Sequence, residues 1–143
     1  MALSANVKRN YDLGVALQEA TYNVIASDIL YEGAAVSMAG GADDVGPQAA
    51  SDPFVGFVQR KVDNAAGAAG DKQVRVATKG RIIDLAVTGA TINSAPGTAV
   101  YASDDGTFTT TSSSAFEQIG KINKGKGTGS ADVDFEGIGA RSV

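Results

Sequence analysis

The stretch VRVATKGRIIDLAV, residues 74–87, decides the fold. Val74, Arg75, Val76, Ala77 and Thr78 alternate in character, as a strand requires when successive side chains point to opposite faces. Lys79-Gly80 reads as a turn or bulge, and Arg81-Ile82-Ile83-Asp84-Leu85-Ala86-Val87 continues as a second apolar segment. The same signals recur on both sides of it. Upstream, Val15, Leu17 and Glu19 alternate with Ala16 and Gln18, and Tyr22, Val24 and Ala26 keep the period of two. Ala35-Val36-Ser37-Met38 reads as a short strand closed by Gly40-Gly41. Phe54-Val55-Gly56-Phe57-Val58 follows the turn-forming Asp52-Pro53 and is apolar on both faces.

Downstream, Thr98-Ala99-Val100-Tyr101 and Thr107-Phe108-Thr109-Thr110 flank Ser103-Asp104-Asp105-Gly106. Asp-Gly between alternating runs marks a hairpin, because both residues tolerate positive φ. Residues 116–122 and 131–135 form a further pair, joined by a glycine-rich loop over 124–130. Residues 39–51 and 64–70 read as Ala/Gly-rich surface loops. Many short strands with turn signals between them predict an all-β sandwich or barrel. The only helical candidate is a turn or two over residues 4–11.

Composition narrows the chemistry. The 143 residues fit one domain. They contain no cysteine, histidine or tryptophan. Disulfides, thiolate metal sites, the usual general base and every Ser-His-Asp arrangement are therefore excluded. Sixteen acidic against twelve basic residues leave a net charge of −4, which argues against a nucleic-acid partner. No stretch is long and apolar enough to span a bilayer, and none makes a signal-peptide core. Synthesis in a cytoplasm without export by the common signal route is the expectation.

Several motifs come close to chemistry and fall short. Residues 120–127, GKINKGKG, nearly spell a phosphate-binding loop, but Gly127 stands where a hydroxyl residue is needed and no helix can follow. Asp43-Asp44 and Asp104-Asp105 read as turn residues, since calcium needs six to eight spaced oxygens. Asp132, Asp134 and Glu136 share one strand face. They allow a carboxylate-only hydrolase on paper, but an exposed strand face is the simpler meaning. No residue is predicted to be catalytic, and neither cofactor nor metal is expected.

The order of the pieces carries a resemblance. Gln18-Glu19-Ala20, Gly33-Ala34-Ala35-Val36, Asp52-Pro53-Phe54-Val55-Gly56, residues 67–76 (GAAGDKQVRV), residues 78–85 (TKGRIIDL), residues 96–101 (PGTAVY) and Ile119-Gly120-Lys121 follow one another. In that order they resemble the tailed-bacteriophage capsid decoration, or head cement, family over residues 15–135. The resemblance implies an all-β single domain, a β-barrel or β-tulip-like sandwich. It also implies a structural virion protein, made in the bacterial host cytoplasm, that binds the exterior of the assembled capsid. The implied partners are the major capsid protein and further copies of itself, as a homotrimer or a dimer, and no enzymatic activity. A carbohydrate-binding module or fibre tip is the alternative, disfavoured by an aromatic content of 6% without tryptophan.

Residues 1–13 depart from the 14–143 domain. They are polar, carry the basic pair Lys8-Arg9, and read as an extended arm. Lys8, Arg9 and Tyr11 are the candidates for contact with the capsid. Deleting residues 1–10 is expected to leave thermal unfolding nearly unchanged while weakening capsid binding.

Overall fold

The computed structural model describes residues 2–39, 44–49 and 52–140. In chain order its strands are β1 (Asn10–Tyr11), β2 (Gln18–Val24), β3 (Asp28–Leu30), β4 (Ala35–Met38), β5 (Asp44–Pro47) and β6 (Phe54–Val58). They continue with β7 (Val62–Asn64), β8 (Gln73–Ala86), β9 (Ala99–Ala102), β10 (Phe108–Thr109), β11 (Glu117–Gly127) and β12 (Ser130–Glu136). Ten of them form one sheet in the order β10-β9-β11-β12-β8-β2-β5-β4-β6, with β1 added to β8. β3 and β7 pair separately. Every pairing is antiparallel except β2 with β5.

The stretch that announced the fold is its longest strand. β8 runs unbroken for 14 residues, and Lys79-Gly80 marks an exchange of neighbours instead of a turn. Up to Lys79 the strand pairs β2; from Lys79 to Ala86 it pairs β12. A bulge does occur, one residue early: Gln18 faces Lys79 while Glu19 faces Ala77, so Thr78 is left over. A second bulge puts Asp84 in the left-handed region at φ 55°, a conformation that Asp tolerates better than most residues.

Two apolar clusters flank this strand. One gathers Phe54, Phe57, Phe108, Phe135, Ile82, Leu85, Ile119, Ile122 and Val133; the other gathers Val24, Leu30, Val36, Val45, Val55, Val58, Val74 and Val76. β6 serves both, which is why all five of its residues are buried. Its phenylalanines enter the first cluster, where Phe57 meets Phe135 edge-on at 5.0 Å and 81°. Its valines enter the second. Each fully buried Phe or Val side chain contributes about 1.5–3 kcal/mol relative to an exposed one.

The all-β, sandwich-like expectation holds, and its barrel form is corrected. β6 returns to β8 through only two residue pairs, and Thr88 meets Thr109 at a single bridge. The sheet is thus rolled on itself without closing into a full barrel, since its returns are one two-residue pairing and one isolated bridge. Four local expectations also change. Residues 4–11 hold no helix; the described helical turn is a short 3-10 segment, Ile138–Ala140. The strand expected from Val15 begins only at Gln18. The 39–51 loop contains β5, whose Val45 is fully buried. The glycine-rich 124–130 loop is mostly strand: β11 runs to Gly127, and only Thr128 and Gly129 (φ 78°) make the turn into β12.

Candidate functional site

The N-terminal segment is laid along its own domain. The Leu3 N–H donates to Asp105 Oδ1 at 2.9 Å, and the Leu3 side chain packs on the valine-rich cluster. The Val7 N–H donates to the Glu32 carbonyl at 2.9 Å, while Asn6 Oδ1 accepts from the Glu32 N–H at 3.0 Å. Arg9 Nε donates to the Gly33 carbonyl at 3.0 Å. Gly33 sits at φ 84°, and a side chain there would run into the Val7 carbonyl. Glycine at 33 is what lets the segment come this close. β1 then pairs Asn10 with Ile83 and Tyr11 with Ile82, and the Asp12 N–H donates to the Arg81 carbonyl at 2.9 Å.

The three sequence candidates surround one hollow of about 170 Å3, together with Glu32, Gly33, Val58 and Gln59. Their environments differ. Lys8 is exposed. The Arg9 guanidinium is largely buried, 5.8 Å from the Phe57 ring and 5.6 Å from the Phe108 ring. Burial lowers its pKa from the ordinary value, and the charges of Tyr11 and Asp105 partly oppose that. Tyr11 packs on Phe135 at 6.1 Å. Burial pushes its phenol up to about 12 against the favourable charge of Arg9, and its hydroxyl has no hydrogen-bond partner among the described residues. The expectation of an arm with little part in folding is therefore revised. The missed signal was the alternation of Val7, Arg9 and Tyr11, all partly buried, with exposed Lys8 and Asn10.

The carboxylates on β12 do share one face, and each has a cation opposite. Lys126 Nζ lies 3.7 Å from Asp132 Oδ2, Arg81 Nε 2.6 Å from Asp134 Oδ1, and Lys79 Nζ 3.2 Å from Glu136 Oε2. Arg81 also reaches Asp12 at 3.5 Å, and its hydrogen bond to Asp134 raises its pKa further. Asp132 is buried and accepts the N–H of Asp84 at 3.1 Å. Such cross-strand pairs specify register more than they stabilise. The near phosphate loop at 120–127 lies within β11. Asp104 and Asp105 occupy a turn, where the Gly106 N–H donates to Asp104 Oδ1 at 2.9 Å. Asp44 lies in β5, and Asp43 falls outside the described residues. Among the described residues no group of three or more acidic side chains is placed to hold a metal, and no helix is long and apolar enough to cross a membrane.

Above this charged face an open groove of about 760 Å3 runs across β8, β12 and β11, walled by Val15, Lys79, Arg81, Lys121, Asp134 and Glu136. What the molecule presents is a rolled sheet with aromatic cores, a strapped N-terminus and ion-paired outer strands. That defines an all-β structural module. A family model described as structural cement protein (E217 gp24/Pam3 gp6) matches residues 9–138, from the residue before β1 to the 3-10 turn. The chain belongs to this family: it is a structural, capsid-stabilising component of a phage virion. No curated protein matches it.

Proposed function

We propose that the protein binds the exterior of the assembled phage capsid, contacts the major capsid protein and clamps neighbouring capsomers, catalysing no reaction. The observation that carries this reading is the extent of the family match, which takes in all twelve described strands. A protein that binds the lattice and not the separated subunits stabilises the lattice by mass action. Assembly of copies into a trimer or dimer would add avidity, because later contacts become intramolecular. In this reading Lys8 touches the shell directly, while Arg9 and Tyr11 hold the segment that presents it. Nothing in the structure favours the glycan-binding alternative.

The test uses capsids lacking the protein, incubated with purified protein, sedimented, and then heated. Saturable co-sedimentation and a raised temperature of DNA release are expected. Capsids that neither retain the protein nor gain resistance to heat would refute the reading.

A further inference from the structure

We propose that the groove across β8, β12 and β11 seats an extended segment of a capsid subunit, which sets a carboxylate on Lys121 and an apolar side chain over Leu13 and Val15. The inference rests on the cement reading and adds the contact site and its chemistry.

Lys121 is the first reason. The other charges along the groove are engaged within the molecule: Lys79 with Glu136, Arg81 with Asp134 and Asp12, and Glu117 with the Phe54 N–H at 3.4 Å. The Lys121 side chain is exposed and makes no ion pair or hydrogen bond to any described residue, although its backbone pairs with Asp134 and Ala99 in the sheet. Its outward position is built in. β11 slips register against β9 between Gln118 and Gly120, and against β12 between Ile122 and Lys124. Its buried positions therefore fall three apart, at Ile119, Ile122 and Gly125, and Lys121 and Lys124 face solvent. A chain with four more acidic than basic residues thus leaves a cation uncommitted on the wall of this groove.

The second reason is apolar. Leu13 is fully exposed, the most exposed large hydrophobic side chain among the described residues. It stands between Asp12, ion-paired to Arg81 of the groove, and Val15, part of the groove wall. A lone exposed leucine means little by itself. Two residues before Val15, a half-buried part of the wall of a groove with an unpaired lysine side chain, it matches a strand-like segment whose alternate side chains are acidic and apolar. Basic charge meeting acidic, and apolar surface meeting apolar, is the complementarity such a segment requires.

The experiment measures binding of full-length variants to capsids lacking the protein, at low and high salt. Lys121→Glu and Leu13→Asp are the groove variants; Lys72→Glu and Ile92→Asp, both exposed and outside the groove wall, are matched controls. Thermal unfolding of each variant confirms that it folds. Each groove variant should weaken binding about tenfold, the size of an interface anchor, and the controls should bind as the unaltered protein does. The Lys121→Glu deficit should shrink with salt while the Leu13→Asp deficit persists. Wild-type binding by both groove variants overturns the inference and leaves the cement reading intact. A change of oligomeric state in sedimentation velocity, confined to the groove variants, overturns it by naming a second copy as the occupant. Failure of the unaltered protein to bind overturns both.

Discussion

The guanidinium of Arg9 bridges two elements, lying over Phe57 of β6 and Phe108 of β10 while Nε holds the Gly33 carbonyl. Each ring contact is worth about 0.5–2 kcal/mol when desolvated, so Arg9→Ala should cost about 2 kcal/mol. Thermal unfolding should show a loss of several degrees, whereas Lys8→Ala, at an exposed position, should leave the midpoint unchanged. Asp105 makes the second residue-scale case. Burial raises its carboxyl pKa, only partly offset by the Leu3 N–H. The folded state therefore holds this proton more tightly than the unfolded chain. Its contribution is fully present below the ordinary carboxyl value and is lost as pH rises through the raised one. Asp105→Asn keeps an oxygen for Leu3 and removes that titration. Denaturant unfolding at several pH values should show the wild type losing stability relative to Asp105→Asn as pH rises through that window. A difference that stays flat with pH would mean that Asp105 is as well solvated in the folded protein as in the unfolded one.

At the scale of elements, β11 shows how far the sequence could be read. The alternation of residues 74–78, the short β4 and the doubly apolar β6 were legible, because a period of two and a fully apolar run have few other solutions. β11 was not. Lys124 to Gly127 looked like a loop because glycine weakens strand propensity. Gly125 is nevertheless buried in the strand: a side chain there would strike the Thr91 carbonyl, so glycine answers a backbone passing close by. A side chain at Gly127 would meet only the Ser130 hydroxyl, at an ordinary contact distance of 3.6 Å. Gly125→Ala should therefore destabilise by about 1–3 kcal/mol, and Gly127→Ala should be nearly neutral, as denaturant midpoints can show. β5 and the partner exchange at Lys79–Gly80 were hidden for another reason: both depend on pairings distant in sequence, which local pattern does not encode. The site was legible only in part. Lys8, Arg9 and Tyr11 do lie together, and the alternation through Val7, Arg9 and Tyr11 signalled an inward side, but only the fold shows which rings Arg9 meets and that a groove forms beside Lys121.

At the scale of the whole molecule, the two apolar clusters share β8, β6 and the N-terminal strap. Residues 3–12 touch the valine-rich cluster through Leu3, the aromatic cluster through Arg9 and Tyr11, and β8 through β1. Removing residues 1–10 would delete the buried part of Leu3, the Arg9 bridge and half of β1 together. The loss should be about 3 kcal/mol or more by area and ring contacts, a drop of roughly ten degrees for a chain of this size. Unfolding should stay a single transition, since β8 and β6 still join the clusters. Loss of capsid binding by the truncated protein would then say little about contact, because the same deletion loosens the fold that presents every other surface. Lys8→Glu separates the two effects. It reverses an exposed charge and leaves the Arg9 bridge and the Leu3 N–H in place, so the melting curve should not move. If Lys8 meets the shell, its affinity for capsids should fall, with the deficit shrinking at high salt as screening removes the unfavourable charge. A Lys8→Glu protein that binds capsids as wild type does would show that the strap is a folding device alone. A truncated protein that melts with the wild type would show the reverse: that residues 1–10 do not hold the two clusters together.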